Sequence, residues 1–455
     1  MKEKIRIASG QGFWGDLIDA PYHQVTKGEV DYLVMDYLAE VTMSILQKQK
    51  NKNPELGYAK DIPLLMKRIL PVCKERAIKI ITNGGGINPT ACANEVLKVA
   101  GELGISGLKV AVILGDDIRE RINEIVDAGC ELNNMETGES IVPLKDKLLS
   151  ANVYFGAFPI VDALKQGADI VITGRTTDTG LTLAPMIYEF GWTNKDYDLL
   201  SAGTVAGHIL ECGAQASGGN LLADWQSVEN FAGIGFPIAE AFPNGEIIIT
   251  KHENLGGKVS IETVSEQLVY EIGNPQDYIT PDCIADFTSI HLEDLGKDKV
   301  KVYNVKGKPE TEFYKVSCSY VSGYSTVGSL TYSWPQALTK AKAADEILRK
   351  RLENLNLNFE EIKTEYVGYN SCHGPLAKEL NEDDINEIML RIAVRSYDKN
   401  AVERFGKEIA PLILTGPPSV TGFAGGRPRP SEVVAYWPAL IPKKLVQPEV
   451  KIMEL

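Results

Sequence analysis

The sequence predicts an α/β fold: a mostly parallel N-terminal sheet with ligand loops at the strand carboxyl ends, followed by an α+β region. Three observations predict it. Short β-branched runs alternate with longer helical patterns through the first half. The residues that follow those runs are rich in Gly and polar groups. From about Phe236 the pattern changes to closely spaced strands with turn signals, then returns to helix and strand.

Taken in order, the expected strands are Ile5–Ala8, Tyr32–Met35, Ile78–Ile81, Val110–Leu114, Val153–Phe155 and Ile170–Thr173. Helical patterns fall between them at Asp36–Lys50, Leu64–Arg76, Ala91–Leu103 and Ile118–Ala128. This alternation marks βαβ units, and in parallel sheets ligands bind beyond the carboxyl ends of the strands. Five polar clusters then share one rim: Gly10–Asp16, Asp36 with Glu40, Asn83–Pro89, Gly115–Asp117 and Gly174–Asp178. Further on, Ile247–Thr250, Lys258–Ile261, Lys299–Val305 and Tyr314–Tyr320 read as strands, with Gly256-Gly257 and Gly307-Lys308-Pro309 as turns. Ser333–Leu355 is helical, with Ala337, Ala341, Ala344 and Ile347 along one stripe. Glu365–Tyr369 and Ile388–Arg395 read as strands, and Thr415–Pro430 is a Gly/Pro-rich loop. For 455 residues, a prior of roughly 150 per domain gives about three regions. They are an α/β domain at 1–230, a β-rich α+β region at 231–335 and a C-terminal α/β region at 336–455, with soft boundaries.

Composition narrows the class. With 44% hydrophobic and 24% charged residues the chain is neither disordered, collagen-like nor a disulfide-stapled miniature. A net charge of −14 repels a phosphate backbone, so no nucleic-acid partner is expected. A small anion can still be held by local Arg residues and backbone N–H groups. The charged start, Met1-Lys2-Glu3-Lys4, lacks the apolar core of a signal peptide. No apolar run approaches the roughly 20 residues of a membrane span, so no membrane partner is expected. Seven scattered cysteines without a Cys-x-x-Cys pair fit reduced thiols in a cytoplasm.

Gly10, Gly12 and Gly15 fit G-x-G-x-x-G, with Asp36 about 20 residues further on, nominally a dinucleotide fingerprint. The mechanism argues against NAD(P), because Pro21 places the first helix well past the glycines, whereas pyrophosphate needs the helix to open there. Asn83, Gly84, Gly85, Gly86 and Asn88 form a better ligand loop, since glycines let backbone N–H groups approach closely. A strand–helix turn under packing constraint explains them equally well. Gly174 precedes Arg175, which could fork onto a carboxylate or simply pair with Asp178. His208, Glu211 and Cys212 share one helical face at i, i+3 and i+4. A carboxylate beside a histidine suits a general acid or base, and Cys212 is a nucleophile or a small buried residue. Gly218 and Gly219 suit a ligand-lining loop, and Arg427 in the Gly416–Pro430 segment suits an anion clamp or a docking segment. Asp16, Asp36 and Asp116 are candidates for a divalent cation.

The segments SGQGFWGD, DYLVMDYLAEVTMSIL, TNGGGINP, GAFPIVDALKQGADIVITGRTTDTGLTLAPMIYEFGW, AGHILECGAQASGGN and KVSIETVSEQLVYEIGNPQDYITPD resemble, in this order, the acyclic terpene utilisation (AtuA-like) family. The resemblance covers most of the first 330 residues and is less distinct beyond about 335. It implies a bacterial cytoplasmic protein of terpenoid-acid catabolism through CoA thioesters, and carries no residue roles with it. Some relatives have an extra small C-terminal domain, which a separate small subunit could supply here. Three functions follow as expectations. The first is an enzyme acting on a small carboxylate or acyl-CoA by hydration, dehydration or lysis. The second is a non-catalytic metabolite-binding or scaffold subunit working with a small partner. The third is a metal-dependent hydrolase. Homo-oligomerisation is the default for a bacterial enzyme.

Overall fold

The computed structural model describes residues 2–421 and 426–455. The chain forms two compact units, Met1–Ser319 with Tyr436–Leu455, and Tyr320–Ala435.

The first unit is built on the parallel strands β1 (Ile5–Gln11), β2 (Tyr32–Met35), β3 (Lys79–Thr82), β4 (Lys109–Leu114) and β6 (Ile170–Thr173), with β5 (Leu148–Val153) outside them. The parallel order is β1-β2-β3-β6-β4, in register with Ile7 opposite Tyr32, Leu33 opposite Ile80, Ile81 opposite Val171 and Val112 opposite Ile172. All four residues of β2 and of β6 are buried, as expected of parallel strands covered on both faces. On one face Leu33, Met35, Ile80, Val110, Val112 and Ile172 meet Ile62, Met66 and Ile69 of the helix Asp61–Arg76 and Val96 and Ala100 of the helix Pro89–Glu102. Antiparallel strands extend the sheet to ten. Ile238–Ala241, Ile247–Thr250, Val300–Tyr303 and His291–Asp294 add beyond β1, and Glu449–Glu454 lies against β4.

Two expected strands fall elsewhere. The run expected at Val153–Phe155 is β5, Leu148–Val153, which pairs with the strand Phe313–Ser333 instead of joining the parallel set. Tertiary partners decide this: the Ser150 and Ser319 hydroxyls are 2.6 Å apart, and Tyr154 N donates to Lys315 O at 2.9 Å. Lys258–Ile261 is not a strand but the approach to the helix Ile261–Val269. Ser260 Oγ accepts from Thr263 N while Thr263 Oγ1 accepts from Ser260 N, a reciprocal cap that overrides the β-branched composition. After β1 the chain turns at Gly15 (φ +104°) and the next helix, Ala20–Thr26, opens with Pro21.

In the second unit, Glu387–Ser396 pairs antiparallel with both Phe313–Ser333 and Glu361–Val367. Ile388, Leu390, Ile392 and Val394 alternate inward along the middle strand. They pack on Ala341, Ala344 and Leu348 of the helix Ala337–Asn354 and on Val402, Phe405 and Ile409 of the helix Lys399–Ile409.

Candidate functional site at the carboxyl rim

Because β1, β2, β3, β4 and β6 run parallel, their carboxyl ends share one rim, and the five polar clusters lie along it. The loop after β6 is the most tightly held. A Cβ at Gly174 would collide with the Asp116 carboxylate, so glycine is required there. Asp116 Oδ2 accepts from Arg175 N at 2.8 Å and Asn152 Nδ2 at 3.0 Å. Burial pushes this carboxyl up to about 7, against the pull of those two bonds.

The Arg175 side chain is 2% exposed. Its Nη1 donates to Leu38 O at 2.6 Å and Asp178 Oδ1 at 2.9 Å, and its plane lies 4.2 Å from the Tyr154 ring centroid. Tyr154 donates its hydroxyl hydrogen to Glu40 Oε1 at 2.8 Å. Lys315 stands 4.9 Å from the same ring and 3.5 Å from Glu40. Burial works against the charge of Arg175, but Asp178, Tyr154, Asp36 and Glu40 more than restore it, so the guanidinium stays charged. Its Nε is buried and has no hydrogen-bond partner.

Asp36 and Asp178 both lean on that cation, and Lys315 also acts on Asp178. Asp36 Oδ1 accepts from Asn83 Nδ2 at 2.6 Å and Leu38 N at 3.1 Å, and Asn83 Oδ1 in turn accepts from Tyr37 N. Burial lifts the Asp36 carboxyl well above the usual range, the Asp178 charge adds to that, and Arg175 opposes it. Asp178 is raised by burial against Arg175, with Glu40 adding to the rise. Glu40 itself ends below its usual value: burial opposes ionisation, but Arg175, the Tyr154 hydroxyl and Lys315 outweigh it. Asp178, Glu40 and Lys315 are the members that reach solvent.

The helix Tyr197–Glu211 brings the second half of the cluster. Gly207 rests on the Thr179 backbone, where a Cβ would come within 2.5 Å of its Cα and carbonyl, so the helix closes directly on the loop carrying Arg175 and Asp178. His208 Nδ1 is 2.9 Å from Glu211 Oε1, off the angle of a good hydrogen bond, and Nε2 is 3.0 Å from Gln267 O. A carbonyl only accepts, so Nε2 carries a proton. Gln267 returns a bond from Nε2 to His208 O at 2.8 Å, and the rings of Tyr278 and Phe287 pack edge-on against the imidazole. Burial would lower the His208 pKa, but Glu211 prevails and it is raised. Glu211 is raised by burial, with His208 opposing and Asp178 adding to the rise. Nε2 is therefore committed, whereas His208 Nδ1, facing Glu211 Oε1, and Glu211 Oε2 are both buried without a hydrogen-bond partner. Cys212 caps the helix, and burial pushes its thiol up to about 12, which keeps it protonated at neutral pH.

The remaining sequence-predicted residues divide. A Cβ at Gly12 would meet the Cys212–Gly213 peptide at 2.8 Å, so the first rim loop abuts the end of the Glu211 helix. Asp16 Oδ2 accepts from Gly12 N at 2.9 Å. Gly84, Gly85 and Gly86 are buried against Ile62, Thr173 O and Leu46, and this close packing accounts for the triplet. Asn88 Nδ2 donates to Pro54 O and Leu56 O, tying down the neighbouring loop. Gly218 (φ +99°) packs on Val228 and Gly219 on the Ala214 carbonyl. Arg427 is exposed in the second unit, and residues 422–425 of its segment lie outside the described residues. Among the described residues no group of three or more His, Cys, Asp or Glu is placed to hold a metal ion. Asp16, Asp36 and Asp116 instead serve separate hydrogen-bond sets. Sequence reasoning missed Tyr154, Lys315, Gln267 and Tyr278, which reach the cluster from distant segments without a local motif.

The fold and rim define an α/β protein whose strand-end loops gather around a buried arginine. A family model described as "Acyclic terpene utilisation family protein AtuA" matches residues 5–452, and the chain belongs to that family. The match includes the region beyond 335, where the resemblance in sequence is less distinct. No curated protein and no solved structure matches the chain. Among the described residues no helix is long and apolar enough to cross a membrane.

Proposed function

We propose that the chain is a cytoplasmic enzyme that acts on a small carboxylate or an acyl-CoA thioester by hydration, dehydration or lysis. One observation carries the reading: Arg175 Nε and Glu211 Oε2 are buried without partners on two groups that both interact with Asp178, in a rim where burial raises the carboxyls of Asp36 and Glu211. Such chemistry needs a base beside a carbonyl-activated carbon and a donor for the developing enolate oxygen. Glu211 moves the proton through its free oxygen, and Arg175 supplies the N–H to the oxyanion. Asp36 and Asp178, both raised, are the acids available to a leaving hydroxyl. His208 acts through Glu211, as a positioning residue, because Nε2 is committed to Gln267 O and Nδ1 faces Glu211 Oε1 at 2.9 Å.

The test is turnover of a panel of branched and unbranched carboxylates and their CoA thioesters by the purified chain, read by mass spectrometry. Glu211→Gln should abolish turnover while the circular dichroism spectrum stays unchanged. His208→Gln should lower kcat and move its pH profile. Full activity of the Glu211→Gln chain would remove the assignment. Turnover of nothing by the chain alone, together with stable capture of a small partner subunit, would favour a scaffold role.

A further inference from the structure

A cavity of about 670 Å³ shares no residue with the rim cluster. It lies where the end of the helix Ala20–Thr26 meets Arg6 of β1 and the turn after the strand Ile247–Thr250. Its charges are mixed: Arg6, Lys27, Lys251, Lys297 and Lys299 against Glu240, Glu253 and Asp298, two cations in excess. Glu240 is taken by Lys4 at 3.1 Å and Arg6 at 3.6 Å, and Asp298 by Lys251 at 3.2 Å and Val259 N at 3.0 Å. Lys27, Lys297 and Lys299 are exposed and have no carboxylate partner among the described residues. Glu253 is exposed as well.

His252 stands on the same wall and is 4% exposed. Its Nε2 is 2.9 Å from Gln24 O, and since a carbonyl only accepts, Nε2 carries the proton. Gln24 is itself pinned, its Nε2 donating to Ser9 O, Phe236 O and Pro237 O, so the imidazole keeps this orientation. Nδ1 looks toward Gly28, where a Cβ would collide with it, and has no hydrogen-bond partner among the described residues. Burial lowers the His252 pKa, with Arg6 and Lys251 adding to the fall and the bond to Gln24 opposing it. The wall thus combines excess positive charge with one buried acceptor. A bare oxyanion answers the charge but sets its lone pairs against Nδ1. An oxyanion that still carries an O–H answers both.

We propose that this cavity binds a phosphate group in a protonated form, its charge met by Arg6, Lys27 and Lys297 and its O–H donated to His252 Nδ1. Inorganic phosphate keeps such a proton through the neutral range, and a phosphomonoester, with a second pKa of about 6, keeps it on the acid side. Sulfate carries none. Glu253 adds to the preference, because a carboxylate on the wall repels a bare anion more than a protonated one. The site is independent of the reaction proposed at the rim.

Titration calorimetry of the full-length chain at about pH 6.5, where both phosphate forms carry protons, compares inorganic phosphate, glycerol phosphate and sulfate. Phosphate should bind about tenfold more tightly than sulfate, the worth of one charge-assisted hydrogen bond. Tighter binding of glycerol phosphate than of inorganic phosphate identifies a phosphomonoester as the ligand, and the reverse identifies the free ion. In the nuclear magnetic resonance spectrum of isotope-labelled histidine, the His252 Nδ1 signal should move on adding phosphate and stay in place on adding sulfate. Lys27→Gln combined with Lys297→Gln, at two exposed positions, should weaken phosphate about tenfold at unchanged Tm. His252→Gln should remove the preference for phosphate over sulfate. Sulfate bound as tightly as phosphate by the natural chain, no binding of either phosphate probe, or an unmoved Nδ1 signal would overturn the proposal.

Discussion

The first unit buries Asp36, Asp116, Arg175, His208 and Asp282, whereas in the second unit the buried charged residues are Lys340 and Asp345. Each of those two serves a local bond, Lys340 to Ser333 O and Asp345 to Arg349 and Thr364. The difference follows from architecture. Parallel strands end together, so their carboxyl loops can hold unlike charges against one another away from water. The antiparallel sheet of the second unit alternates, placing Ile388, Leu390, Ile392 and Val394 on its helix-covered face, while the pairs Lys350–Glu353 and Lys407–Glu403 lie exposed on its helices. Desolvated charge is costly unless it is paired, which makes the first unit the place to look for chemistry and the second a scaffold of ordinary packing.

The largest effect that would break this contrast is expected at Arg175. Arg175→Met removes the buried cation that faces both Asp36 and Asp178, and should cost about 3–5 kcal/mol in urea unfolding. A loss below about 1 kcal/mol would mean that the buried charges are solvated after all. Leu348→Ala, in the core of the second unit, should cost about 3 kcal/mol but leave the pH dependence of stability unchanged, as a cavity has no charge to titrate. Asp116→Asn sharpens the comparison by pH. The folded carboxyl titrates at about 7, above the unfolded value of 3.8, so the folded chain keeps a proton that the unfolded chain has lost. The contribution of Asp116 to stability therefore falls as pH rises through that window. The variant, unable to ionise, should gain about 2 kcal/mol on the natural chain between about pH 5 and about pH 8. Parallel pH profiles for the two chains would refute the assignment. The smallest effect belongs to the exposed Lys350–Glu353 pair, where Lys350→Ala should change stability by less than about 0.5 kcal/mol.

What the sequence discloses is local. Tyr32–Met35 and Ile170–Thr173 form strands at the expected residues, because an apolar run bounded by polar loops is a sufficient signal for a strand buried on both faces. Asn83, Arg175, Asp178, His208 and Glu211 are legible as candidates because they follow strands or share a helical face. The helix Ile261–Val269 is misread although its signal is present: Ser260 and Thr263 stand three apart at a helix start. The pairing of β5 with a strand far along the chain has no local signature. Nor has the meeting of Tyr154, Lys315 and Glu40, nor the bond from Gln267 that occupies His208. That last bond commits His208 Nε2 and is the reason the proposed acid–base role falls on its carboxylate neighbour.

The strand Glu449–Glu454, which closes the sheet beside β4, also sets a timetable for synthesis. Its partner, Lys-Val-Ala-Val-Ile-Leu, leaves the ribosome early and keeps one backbone edge open until the last residues of the sheet have emerged. For most of translation the nascent chain therefore carries an apolar, unpaired strand edge, the kind of surface that recruits chaperones or drives aggregation. Truncation before residue 449 should make that transient state permanent, giving a chain that misassembles even with the rim cluster's residues intact.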